Sequence, residues 1–161
     1  MTKTQTTSAT AADPEAAAGT AQFLTPVVLG LQALAVNGKQ AHWNVRGANF
    51  IAIHELLDQV VAHAQASADE AAERIIAVGL PIDARVSTVA GKAPDTAVPA
   101  GFTPWEKQVA AVVADIDALL PDVQAAIEGL DEVDLTSQDV MIGIKASLEK
   151  DRWFLSAHLA S

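Results

Sequence analysis

Residues 50–78 read FIAIHELLDQVVAHAQASADEAAERIIAV. They form a periodic apolar run closed by Gly79 with Pro81 behind it, the stop signal of a helix. At about 1.5 Å per residue this helix is roughly 43 Å long, well beyond the usual three turns, and a helix of that length needs partners along its whole side. A bundle follows. Upstream, Phe23, Leu24, Val27, Val28, Leu31, Leu34 and Ala35 recur at helical spacing, which predicts a first helix from about Ala18 to Val45 with Gly47 just past its end. Downstream, Leu80 to Phe102 carries Pro81, Gly91, Pro94, Pro99 and Gly101, too broken for a long helix, although Arg85 to Val89 leaves room for a short one. So long a connection lets the chain cross over instead of turning back as a hairpin.

A third helix starts at Thr103-Pro104-Trp105-Glu106, which reads as threonine N-cap, proline at the first helical position and glutamate at N3. It runs to about Glu128, with a kink or break expected near Leu120 because Pro121 falls inside it, and Gly129 closes it. Thr136 with Asp139 three residues on gives the capping signal of a fourth helix reaching about Leu159. The expected fold is therefore all-α: one four-helix bundle domain over 18–161 behind a flexible N-terminal tail, 1–17, rich in Thr, Ser and Ala.

Composition narrows the chemistry. The 161 residues suit a single domain, and half are hydrophobic with only 4% aromatic, which favours packed helices over a β-sandwich. Without cysteine, any metal must be held by histidine and carboxylate. The first 22 residues lack the charged-then-apolar order of a signal peptide, and no apolar run reads as long and clean enough to span a bilayer, so the expected location is cytoplasmic. A formal net charge of −10 repels polyanions and suits a protein that attracts cations.

The second helix carries His54 with Asp58, then Asp69 with Glu73, each pair at i and i+4. Turning about 100° per residue, the four side chains share an arc of roughly 100°. At the end of the first helix, His42 offers another imidazole. The midpoints of the two pairs, near residues 56 and 71, lie about 15 residues or roughly 22 Å apart, too far to share an ion within one chain. If two such helices run antiparallel about a two-fold axis near His63 and Ala64, His54 and Asp58 of one meet Asp69 and Glu73 of the other. A mixed set of imidazole and carboxylate suits a transition-metal ion. Glu-x-x-His pairs, which would build a site inside one bundle, are absent. His63 lies half a turn from His54 and reads as a surface or interface residue, while Glu70 pairs by spacing with Arg74.

The run Lys39-Gln40-Ala41-His42-Trp43-Asn44-Val45-Arg46-Gly47-Ala48-Asn49-Phe50, followed by His54-Glu55-Leu56-Leu57-Asp58, Asp69 and Ala72-Glu73-Arg74, closely resembles the signature of the Dps family of ferritin-like mini-cages. The resemblance covers the first two helices strongly and the rest through length, helix order and the closing Trp153-Phe154. It implies a ferritin-like bundle, with His42, His54, Asp58, Asp69 and Glu73 as the ferroxidase centre. It further implies Fe(II) as substrate, hydrogen peroxide preferred over oxygen, and ferric mineral stored in a hollow homododecamer. Trp43, next to a ligand in a chain without tyrosine or cysteine, is a candidate acceptor of stray oxidising equivalents; the alternative is that it only packs. Asp131, Glu132, Asp134 and Asp139 are candidates for a cation pore where three subunits meet, although Asp139 equally suits the cap of the fourth helix. DNA binding in the family usually relies on a basic tail, and the N-terminal stretch here sets Asp13 and Glu15 against Lys3, which argues against that activity. Two other functions fit the same residues: metal-assisted hydrolysis or synthesis of an amide, and condensation of nucleoid DNA.

Overall fold

The computed structural model describes residues 13–160, so 1–12, the greater part of the expected tail, lie outside it. The elements in order are α1 (Pro14–Asn44), β1 (Val45–Arg46), α2 (Phe50–Ala77), α3 (Val86–Lys92), β2 (Thr103–Pro104), α4 (Trp105–Leu130) and α5 (Leu135–Leu159). Four long helices make the bundle, and the expected short helix in the crossover is α3.

α1 begins at Pro14, so residues 14–17 form its first turn and not the end of a tail. The cause is local: the Asp13 carboxylate accepts the Glu15 backbone N–H at 3.0 Å, and Pro14 occupies N1, where its missing donor costs nothing. α2 closes as expected. Gly79 adopts φ +100°, its N–H reaches the Ile76 carbonyl at 2.9 Å, and the Leu80 N–H returns to Ile75 at 3.2 Å.

Paired side chains fix the directions. Lys39 meets Asp58 and His42 meets His54, so α1 and α2 are antiparallel. Gly30 faces Leu119 and Gly129 faces Phe23, which sets α4 antiparallel to α1. Arg74 with Ser137 and His63 with Asp151 set α5 antiparallel to α2. α2 and α4 therefore run the same way, and only a crossover the length of the bundle can join them. The core is a continuous stack of aliphatic side chains from all four long helices, among them Leu24, Leu31, Leu57, Ile116, Leu119 and Ile144.

The third helix departs from its expected start. Thr103 does not cap it; the hydroxyl donates instead to the Gly101 carbonyl at 2.8 Å, and Thr103 and Pro104 form a parallel pair with Val45 and Arg46. That two-residue ladder clips the end of α1 to the start of α4 and brings Trp105 against Gly47, whose φ of +120° disfavours a side chain and where a Cβ would stand 2.9 Å from the indole. α4 also continues unbroken through Pro121. Its buried stripe of Ile116, Leu119, Val123 and Ala126 spans the proline on both sides, so packing holds the helix together across the lost hydrogen bond. Nor does Gly129 end it, since the helix reaches Leu130.

Gly129 answers to packing: a Cβ there would stand 2.2 Å from the Phe23 ring. Gly129→Ala is expected to destabilise the bundle by about 1–3 kcal/mol through overpacking. Phe23→Leu in the same chain should recover part of that loss, and an unchanged urea midpoint in the single variant would contradict the reading.

Contrary to the expectation for apolar runs, α1 has an 18-residue stretch with a mean hydropathy of 1.4, the level of a membrane span. Half of that stretch is buried in the bundle, because α1 packs along both α2 and α4.

Candidate metal centre

The short turn between α1 and α2 sets His42 and His54 face to face, with ring centroids 3.6 Å apart and planes 21° from parallel. Each Nδ1 donates to the other residue's backbone carbonyl, at 2.8 Å from His42 and 3.0 Å from His54. A carbonyl only accepts, so Nδ1 carries a proton in each ring, and in the neutral imidazole Nε2 is then the atom with the lone pair. That is the tautomer a metal-binding imidazole needs, held in orientation before any ion arrives. His42 is 5% exposed, and the Phe50 ring lies 5.0 Å from that of His54, tilted 30° to it.

One turn along α2, the Asp58 carboxylate stands 3.4 Å from His42 Nδ1 and forms an ion pair with Lys39. The Lys39 ammonium, bonded to the Asp58 carboxyl, holds it below its ordinary range. A groove of about 510 Å³ opens beside these groups, lined by Lys39, Trp43, Asp58, Val61, Ala62 and Gln65. Trp43 is 60% exposed and forms part of its wall.

Asp69 and Glu73 are exposed on the same face of α2, about 15 residues or roughly 22 Å from the first pair. Among the described residues, no group of three or more histidine and carboxylate side chains is arranged to hold a metal ion within the chain. The structure thus presents two separated sets, His42, His54 and Asp58 in one place and Asp69 and Glu73 in another.

The acidic turn divides. Asp131, Glu132 and Asp139 are exposed, but Asp134 is the N-cap of α5, accepting from the Thr136 and Ser137 backbone at 3.1 and 3.3 Å. This replaces the expected cap by Thr136 and Asp139. Asp134 also receives the Ser137 hydroxyl and, at 2.7 Å, an Arg74 N–H. Burial opposes ionisation of Asp134, yet these donors bring its pKa down to about 2. Arg74 is therefore committed to Asp134 and to Ser137, and not to Glu70.

His63 is more than the surface residue its position suggests. Its Nδ1 lies 2.9 and 3.0 Å from the two oxygens of Asp151, a carboxylate 3% exposed on α5. No local spacing could reveal a partner 88 residues away. The caps were more legible: Asp13 before Pro14 and Asp134 before Leu135-Thr136-Ser137 are both ordinary N-cap sequences.

A ferritin-like domain model matches residues 10–161. The DNA protection during starvation protein of Mycolicibacterium smegmatis is 36% identical over 128 residues, covering 76% of this chain and 67% of that protein. Its counterpart from Agrobacterium fabrum is 32% identical over 127 residues, covering 78% of each. Among solved structures, Dps from Microbacterium arborescens in a high iron form is 72% identical, with a TM-score of 0.92 over 94% of this chain and 99% of that one. Dps from Mycobacterium smegmatis is 31% identical, with a TM-score of 0.88 over 94% and 93%.

Proposed function

The chain belongs to the Dps family of ferritin-like proteins, and on that premise we propose that it is an iron-storing ferroxidase whose catalytic centres are completed between two subunits. The observation that carries the proposal is the preset histidine pair. His42 and His54 each donate through Nδ1 to the other's carbonyl, which leaves Nε2 of the neutral rings for a metal beside a carboxylate, and among the described residues no group of three or more ligands is arranged to hold an ion within the chain. An antiparallel neighbour supplies the missing Asp69 and Glu73, giving two equivalent centres per two-fold pair.

In this reading Fe(II) is the substrate. His42 and His54 receive it, Asp58 neutralises part of its charge, and the partner's carboxylates favour the ferric product. A carboxylate bridging two ions about 3.5 to 4 Å apart lets two Fe(II) each give up one electron. Hydrogen peroxide takes both electrons with two protons and leaves as two waters, so no hydroxyl radical is released. Trp43, on the wall of the groove, is the nearby side chain suited to absorb a stray oxidising equivalent. Ferric mineral then collects inside a dodecameric cage in the cytoplasm, with exposed Asp131, Glu132 and Asp139 drawing cations to a three-fold pore. Asp134 contributes charge there only from its capped position.

The formal net charge of −10 supports no DNA-condensing role at physiological salt. Anaerobic protein loaded with Fe(II) and mixed with peroxide or with oxygen tests the function: ferric absorbance should rise faster with peroxide than in protein-free buffer. Turnover of acyl-amino acids without net iron oxidation would favour the amide chemistry instead.

Lys39 enters the same account. Its ammonium occupies the side of Asp58 where a cation is wanted, so the first Fe(II) must displace it. Lys39→Met should tighten metal binding about two- to fivefold, the range for losing one partly exposed competing ion pair. Weaker Co(II) binding in that variant would show that Lys39 helps and does not compete.

A further inference from the structure

Asp69 and Glu73 lie on a stretch of α2 that has little to hold it in place. From Ile53 to Val61 the buried residues of α2 are large aliphatics, but between residues 62 and 74 they are Ala64, Ala68 and Ala71 alone. Alanine faces keep two helices close without specifying their rotation, since they have no side-chain shape to interlock. A metal ligand needs placement to about 0.5 Å.

Polar pairs bracket this stretch. At one end His63 Nδ1 meets both oxygens of the buried Asp151, and at the other Arg74 Nε and Nη2 reach Ser137 at 2.8 Å and Asp134 at 2.7 Å. His63 and Arg74 are 11 residues apart, so at about 100° per residue they share one stripe of α2, roughly 140° round from the middle of the ligand face. Both pairs end on or beside α5, the helix behind α2. They pin the back of a smooth helix whose front carries the carboxylates.

We propose that His63 with Asp151, and Arg74 with Asp134 and Ser137, are positioning residues that fix the rotation of α2 against α5 and so place Asp69 and Glu73 for metal binding. This rests on the reading of those two carboxylates as ligands. A buried carboxylate whose hydrogen-bond donor is one imidazole is an expensive way to stabilise a helix contact, because well-packed apolar groups do as well or better. Its directionality is what apolar groups lack.

The test separates placement from stability. His63→Leu with Asp151→Leu removes the tether without stranding a buried charge, and His63→Gln restores a donor. Each assembled protein is titrated with Co(II) alone by calorimetry, then assayed for KM and kcat with Fe(II), alongside its thermal midpoint. The double-leucine variant should melt no lower than wild type, yet bind Co(II) about three- to tenfold more weakly. That loss is milder than the 10–100-fold typical when a group bonded directly to a ligand is removed. Its KM for Fe(II) should rise in parallel while kcat changes less, and His63→Gln should recover most of the affinity. Wild-type Co(II) affinity and KM in the double variant would overturn the proposal. If that variant does not assemble, His63→Leu alone is compared with His63→Gln below both melting points, and equal Co(II) affinity in the two overturns it as well. Asp69→Asn is the control: if it binds Co(II) as wild type does, the ligand assignment itself has failed, and the positioning role with it.

Discussion

Replacing Asp58 with asparagine, or Glu73 with glutamine, should slow Fe(II) oxidation by on the order of 10- to 100-fold, at least matching the loss seen when a residue that merely supports a metal ligand is removed. Each change keeps the side chain's volume and removes its charge. Both residues are exposed on α2, away from the aliphatic core, so the bundle and its assembly should survive. The two variants are also expected to resemble each other in rate even though the residues sit at opposite ends of one helix, because each is needed by the same kind of centre. Asp58→Asn additionally frees Lys39 from its ion pair, which separates the loss of a ligand from the loss of a competitor when compared with Lys39→Met. Initial rates equal to wild type in either carboxylate variant would refute that residue's assignment.

The bundle was legible because its signals are local. Periodicity marked the long helices, Gly79 marked the end of α2, and the proline-rich stretch before α4 marked the crossover. The errors arose where a local pattern competed with a distant partner. Thr103 has the sequence of an N-cap, but Val45 draws it into a ladder 58 residues away in the chain. Pro121 carries the usual signal for a break, and a continuous buried stripe overrides it. Asp134 reads as one acid among four, until Arg74 and Ser137 claim it.

The candidate site divides the same way. The i, i+4 pairs on α2 and their shared face follow from helix geometry alone. The locked tautomers of His42 and His54 do not, because each depends on the other's backbone carbonyl across the turn. Nor does the His63–Asp151 pair, which joins helices that meet only after the crossover. What spacing did supply is the strongest constraint on function: two candidate ligand pairs on one helix, too far apart to share an ion.

That constraint is tested most directly by complementation between two inactive proteins. One carries His54→Ala with Asp58→Ala, the other Asp69→Ala with Glu73→Ala, and neither can form a complete centre by itself. When the two are refolded together, a mixed pair holds one centre built from both damaged halves and one built from both intact halves. With random pairing, half the pairs are mixed and each has one of its two centres, so about a quarter of wild-type Fe(II) oxidation should return under two-fold symmetry. The measurement is the initial ferric absorbance rate of the co-refolded protein, with the mixed fraction counted by mass spectrometry of tagged chains. Recovery near a quarter is the predicted result; no recovery in pairs shown to be mixed would contradict a centre shared between subunits.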